Sequence, residues 1–292
     1  KIMNNPMVEA VVPNLVYTIM LDDSVSVINA TNVWNLQYNG DNLTGKGETV
    51  CVVDSGIDYN HTSLGSGWGN KVIAGHDFAN DDSDPWDDNG HGTHVAGIIA
   101  SNDSTYRGVA PDAKLVAMKV CNAAGICSSA DMISGIEWCV NNASLYNISV
   151  ISISLGTIPA FSYFCNDDAT ADSINSARAN DILVSVATGN KANRTGVASP
   201  ACVENATAVG GTTKSDGLYT GTNIGEQLDF YAPGQSITSA NDGGGFISLT
   251  GTSMATPHLS GAAALLYQYN RLRFQRNITV GEIEERFEVN GL

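Results

Sequence analysis

Short apolar runs alternate with small-residue amphipathic stretches, and this pattern most restricts what the chain can fold into. The runs are Val50–Val53, Leu115–Val120, Val150–Ser154, Ile182–Ala187 and Thr207–Gly210. Their length and continuous apolar character read as strands buried on both faces. Helical spacing appears near His91–Ser101, Ala130–Asn141 and Ala169–Ala179, and a last major helix is expected from Ser253 through Leu266. Strands alternating with helices predict an α/β fold, a three-layer structure with a mostly parallel central sheet and helices on both faces. Ligands bind such sheets at the carboxyl ends of the strands. The sequence has no internal repeat and no low-complexity linker.

Charge narrows the partners. The net charge is −16, with 14 Lys and Arg in 292 residues, and such a surface repels nucleic-acid phosphates. No stretch approaches the roughly 18–20 apolar residues of a membrane span. An acidic surface suits calcium binding, high-salt solubility or extracellular life. Neither an initiator Met nor a signal peptide is present, so the chain is expected to be a segment of a longer precursor. Nine N-x-S/T sequons, from Asn29 to Asn277, lean towards secretion. The six Cys are too sparse for a disulfide scaffold. Cys121 and Cys127 lie close enough in a Gly-containing loop to bridge, Cys165 and Cys202 sit in loops beside the expected cleft, and Cys51 reads as a reduced core residue.

Three segments carry chemistry. Val52-Val53-Asp54-Ser55-Gly56 places an acid at the end of a buried strand. Asn89-Gly90-His91-Gly92-Thr93-His94 places a His at the start of a small-residue helix, and Gly251-Thr252-Ser253-Met254-Ala255 places a Ser at another helix start. Singly, the Asp is a turn-former and the Ser an N-cap. Together they offer an acid, a base and a nucleophile. Acyl transfer needs that set, because a Ser hydroxyl attacks only when an imidazole takes its proton and a carboxylate fixes the imidazole tautomer. His91 and His94 also form H-x-x-H, but the Glu of the zinc-protease helix is absent and no third ligand is evident; the resemblance to a known family that these same segments carry implies that His94 is a packed helix residue, and His258 is expected to be packed likewise.

In the order Asp, His, Ser, these segments resemble the subtilisin-like serine proteases, the subtilases, from about residue 22 to the end. The resemblance implies a secreted serine endopeptidase, a monomer acting on proteins or peptides, with Asp54, His91 and Ser253 as its triad. Asn190, in Val186-Ala187-Thr188-Gly189-Asn190, matches the family's oxyanion-hole Asn, acting with the Ser253 backbone N–H. Ser154-Leu155-Gly156 and Ala187-Thr188-Gly189 resemble the two walls of the pocket for the residue N-terminal to the scissile bond. Small residues there, and no acid within them, imply an apolar or aromatic preference.

The same resemblance implies calcium. Asp77, Asp82 and Asp84 would offer side-chain oxygens and Trp86 a carbonyl in the acidic loop before His91, as in thermitase-like members. The family's strong N-terminal calcium site needs an acid where this chain has Ser63, and its loop is shortened at Ser101–Gly108, so that site is not expected. A further site, similar to that of proteinase K, would use Asp229 with the carbonyls of Glu204 and Ala206. Residues 1–20 resemble the end of an inhibitory propeptide, with Tyr17-Thr18-Ile19-Met20 filling the cleft; residues 21–292 would be the catalytic domain, cut short at its C-terminus. The alternative is an inactive binding or adhesion module on the same scaffold.

Overall fold

The computed structural model describes residues 24–290; the expected propeptide tail, Tyr17–Met20 included, lies outside the described residues. Seven strands form the central sheet: β1 (Thr49–Asp54), β2 (Val72–Asp77), β3 (Lys114–Lys119), β4 (Ile148–Ile153), β5 (Leu183–Ala187), β6 (Thr207–Thr212) and β7 (Phe230–Pro233). Their order is β7-β6-β5-β4-β1-β3-β2, and every neighbouring pair is parallel. A hairpin, β8 (Ile237–Ala240) and β9 (Phe246–Leu249), stands apart from the sheet.

Alternate residues of β1 enter different cores, which is why the strand reads as uniformly apolar. Val50 and Val52 pack with Val95 and Ile99 of helix α1 (His91–Ala100). Cys51 and Val53 face the opposite way, towards Ile136 and Cys139 of α2 (Ser129–Asn141) and Ile174 and Ala177 of α3 (Ala171–Ala179). The long helix α4 (Thr252–Phe274) joins α1 on the first face through Ala263 and Ala264. The expected three layers are therefore present, and α5 (Val280–Asn290) closes the described chain with Ile283 in the first core.

Two strands of the central sheet escaped the sequence reading. The β2 segment, Val-Ile-Ala-Gly-His-Asp, is only half buried at the sheet edge, and its Gly and His break the apolar run. The opposite edge strand β7 ends in Pro233, a residue tolerated only where no ladder donor is needed.

Cys51 corrects an expectation: it is bonded to Cys139, not reduced. The cause is geometric. A Cβ on Gly135, one turn before Cys139, would meet Val120 at 3.0 Å and Met118 and Val53 at 3.4 Å, so the hydrogen at that position lets α2 lie against the sheet. Cys121 pairs with Cys127 as expected, and Cys165 pairs with Cys202. The Cys51–Cys139 bridge spans 88 residues and the Cys121–Cys127 bridge only 6. In the chain-entropy account the longer loop constrains the unfolded chain more. Replacing Cys51 and Cys139 together by Ala is expected to cost about 2–5 kcal/mol in denaturant unfolding. Replacing Cys121 and Cys127 should cost less, and equal losses for the two pairs would contradict this account.

Candidate active site

The carboxyl ends of β1, β4 and β5 meet two helix starts at one edge of the sheet. Asp54 ends β1 fully buried, and its Oδ1 accepts the Ser55 N–H at 2.8 Å. His91 opens α1, and its Nδ1 lies 2.7 Å from the same Oδ1. The imidazole keeps 28% of its side chain exposed against 1% for the carboxylate, so one end of the pair is dry and the other faces the cleft.

This contact requires α1 to come unusually close to β1. A Cβ on Gly92 would lie 2.1 Å from the Gly56 carbonyl oxygen and 3.2 Å from Asp54 Cβ, so only glycine fits. The first turn of α1 is then held by side chains. Gly92 N–H donates to Ser55 Oγ at 2.9 Å, and Thr93 N–H donates to Asp87 Oδ2 at 2.8 Å. Asp87 is fully buried; it also accepts from Thr93 Oγ1, Ser55 Oγ, Asn89 N–H and Gly90 N–H. A carboxylate here satisfies orphan donors and complements the positive end of the helix. Buried Lys119, at the end of β3, donates to the Ser55 carbonyl and pairs with Asp88.

Ser253 lies in the first turn of α4, where backbone N–H groups have no partner within the helix. Pro257, four residues on, lacks the N–H that would normally bond the Ser253 carbonyl. That carbonyl instead accepts Ser154 Oγ–H at 2.9 Å, and Ser253 Oγ–H donates to the Ser154 carbonyl at 3.1 Å. The reciprocal pair fixes the Ser253 turn to the segment that follows β4. Asn190 is held on the other side: its Oδ1 accepts Thr252 N–H at 2.8 Å and Thr252 Oγ1–H at 3.2 Å, which leaves the Nδ2 donors to face outward.

A cleft of about 730 Å³ unites these groups. Asp54, His91, Asn190 and Ser253 line it, with Ser154, Leu155, Gly156, Ala187 and Gly189 from the two expected walls. Thr188 does not: it is fully buried, and its carbonyl accepts Ala198 N–H and Asn223 Nδ2–H, so it braces its wall from behind. Asp168, with Thr170 and Ser199, also lines the cleft. These residues were missed in the sequence, where they lie outside both walls. His94 and His258 are packed as expected; His94 Nε2 lies 3.1 and 3.0 Å from the Ile237 and Ile247 carbonyls.

The acidic loop is less gathered. Asp77 is buried and takes both Asn80 N–H and Asn80 Nδ2–H. Asp82 Oδ1 accepts Asp84 N–H, and Asp84 Oδ1 accepts the Tyr59 hydroxyl. Among the described residues no three His, Cys, Asp or Glu side chains form a metal-ligating cluster. Asp229 spends one oxygen on Ala208 N–H. Ser63 Oγ lies 2.8 Å from His61 Nδ1, and the Ser63 carbonyl accepts Asn102 N–H.

Residues 45–283 match the family model described as the subtilase family. The chain belongs to the subtilase family. It is 38% identical over 278 residues to a subtilisin-like serine protease of Penicillium rubens, covering 91% of this chain and 66% of that protein. Subtilisin Savinase of Lederbergia lenta is 40% identical over 231 residues, covering 78% of this chain and 79% of that protein. The crystal structure of a cold-adapted subtilisin-like serine proteinase superposes with a TM-score of 0.70 at 34% identity, over 86% of each chain. The chain spans about two thirds or less of the length of the first fungal relatives it matches.

Two opposing effects act on His91. Burial disfavours the imidazolium; the Asp54 charge and hydrogen bond favour it and, with Asp87 adding, win, so the pKa lies above the ordinary 6.5. An NMR titration of the His91 ring is expected to show a midpoint above 6.5, and Asp54→Asn should lower it. A midpoint at or below 6.5, unmoved by the substitution, would show that the carboxylate does not govern the imidazole.

Proposed function

We propose that the chain is a serine endopeptidase that cleaves peptide bonds through an acyl-enzyme formed on Ser253. The observation that carries the reading is the 2.7 Å contact between buried Asp54 and half-open His91 in the same cleft as Ser253 and Asn190. Ser253 Oγ, turned from the Ser154 carbonyl towards His91 Nε2, gives up its proton and attacks the scissile carbonyl carbon. Asp54 holds Nδ1–H, which leaves Nε2 unprotonated as the base, and stabilises the imidazolium that forms. The carbonyl oxygen gains negative charge and is met by Asn190 Nδ2–H and the Ser253 N–H; one such donor typically lowers the barrier by about 2.7–4 kcal/mol. His91 then protonates the departing amine, and water hydrolyses the acyl-enzyme by the same route in reverse.

The walls from Ser154 to Gly156 and from Ala187 to Gly189 would clasp the substrate backbone and the side chain before the scissile bond. Three disulfides and nine sequons fit an oxidising, extracellular setting. We read the protein as a monomer and residues 1–20 as its inhibitory tail. Among the described residues no helix is long and apolar enough to cross a membrane.

A fluorophosphonate probe tests the function. Covalent capture is expected on Ser253 and absent in Ser253→Ala, which should also lose casein hydrolysis while keeping its fold. Because the base must be neutral, kcat/KM should rise with pH through the elevated His91 pKa. A folded protein that the probe does not label would instead be a binding module on this scaffold.

Calcium in the acidic loop remains part of the proposal. Asp82 and Asp84 are exposed and bond through one oxygen each, so both can turn towards Asp77 and a hard cation. A cation bound only by the folded state stabilises it by about 2.7 kcal/mol at a hundredfold excess over Kd. EDTA is therefore expected to lower Tm and calcium to restore it, with Asp82→Ala/Asp84→Ala blunting the response. If that double variant keeps the full response while Asp229→Ala loses it, the loop is a solvated surface and the ion sits at Asp229.

A further inference from the structure

Outside the triad, Asp168 is the one acid among the described residues that lines the cleft. It belongs to neither wall and reaches the site through Ser199. Ser199 abuts the first wall directly: its carbonyl accepts Thr157 N–H at 2.9 Å, its own N–H donates to Thr157 Oγ1 at 3.1 Å, and a Cβ on Gly156 would lie 3.3 Å from its carbonyl oxygen. Ser199 Oγ–H in turn donates to Asp168 Oδ2. The path along the wall therefore runs from Ser154, which holds the Ser253 turn, past Gly156 to Ser199 and Asp168. Gly156 lies two positions beyond Ser154, at most about 7 Å away at roughly 3.3 Å per residue. Only a long side chain entering at Ser253 spans that distance.

The carboxylate is also held in one orientation. Its Oδ1 accepts Thr170 N–H at 2.9 Å and Thr170 Oγ1–H at 2.6 Å, which fills that oxygen. Oδ2 accepts only Ser199 among these donors and keeps a lone pair for one more. All three donors are neutral. Burial works against the charge, but the Ser199 and Thr170 hydrogen bonds outweigh it and hold the pKa below the ordinary carboxylate value, so Asp168 is anionic at neutral pH. Gly156, Ala187 and Gly189 line the same cleft, and such small residues can pass an aliphatic stem. A fixed anion at the end of an apolar slot is the complement of a lysine or arginine side chain, whose stem packs while its head makes a charge-assisted bond.

We propose that Asp168 is a specificity-determining residue, and that the cleft selects peptides with lysine or arginine immediately before the scissile bond. This rests on the endopeptidase reading and replaces the apolar or aromatic preference that the two walls alone imply.

The test begins with fluorophosphonate labelling of the wild-type chain, since failure to label defeats the endopeptidase reading itself. For labelled enzyme, kcat/KM is compared on peptide p-nitroanilides that differ only in Lys, Arg, Phe or Leu at the cleaved position. Lys and Arg are expected to be preferred, and benzamidine to inhibit competitively. In Asp168→Asn the Lys-to-Phe ratio of kcat/KM should fall at least tenfold. Exposed Asp167→Asn, which removes the same charge outside the cleft, should leave that ratio unchanged. A labelled wild-type enzyme that prefers Phe or Leu and ignores benzamidine would overturn the proposal without touching the catalytic reading. So would an Asp168→Asn variant whose ratio is unchanged, which would make the carboxylate a cap for the Thr170 turn, or an equal fall in Asp167→Asn, which would make the preference one of overall charge.

Discussion

A carboxylate buried beside an imidazole is costly to build, because each group prefers water to a low-dielectric interior. Asp54 and His91 meet at 2.7 Å only because α1 settles onto the end of β1, where Gly92 leaves no room for a Cβ. Much of the surrounding structure serves that approach. Ser55 is the hub: its N–H goes to Asp54, its carbonyl takes Lys119, and its hydroxyl donates to Asp87 while accepting Gly92 N–H. Asp87 carries five donors of its own. A second buried anion would seem a liability next to Asp54. It is tolerated because those donors solvate it in place of water and because both carboxylates favour the same charged state of His91.

The sheet order explains why the parts can meet at all. β1 lies between β3 and β4, so on one side the chain goes first to the edge strand β2 and returns through β3, and on the other it runs outward from β4 to β7. Loops leaving the carboxyl ends diverge at this switch and open a crevice. Asp54 stands at its centre, Ser154 follows β4, and the segment from Ala187 to Asn190 leaves β5. The Ser253 turn is then docked from outside the strand series by its exchange of hydrogen bonds with Ser154.

Features written in contiguous residues were legible in the sequence. The central strands and the three chemical motifs follow from local pattern: continuous apolar runs, and an acid or small residues at an element boundary. Features made by distant pairing were not. Cys51 reads like any small core residue, because nothing near it reveals that Cys139 will arrive on α2 from 88 positions away. Asp168 is legible only as an acid in a loop; Ser199, 31 positions further on, makes it part of the cleft. In the sequence Asp87 is one more charge in the acidic run before His91, whereas the fold buries it under five donors and leaves Asp82 and Asp84 outside. Composition cannot rank carboxylates that differ only in the donors the fold brings to them.

The Pro257 turn carries the argument one step further. A proline in the second turn of a long helix ordinarily weakens it by removing a donor. Here the carbonyl that loses its donor belongs to Ser253, and Ser154 replaces the missing bond from the adjacent wall. The helix thereby exchanges an internal hydrogen bond for one that joins the Ser253 turn to the segment after β4, at little net cost because the number of satisfied carbonyls is unchanged. Ser154, which follows β4, directs its hydroxyl at a carbonyl that this proline leaves free. The positions of Ser253 and of the Ser154 segment are thus one structural variable, and a shift of either must displace the other.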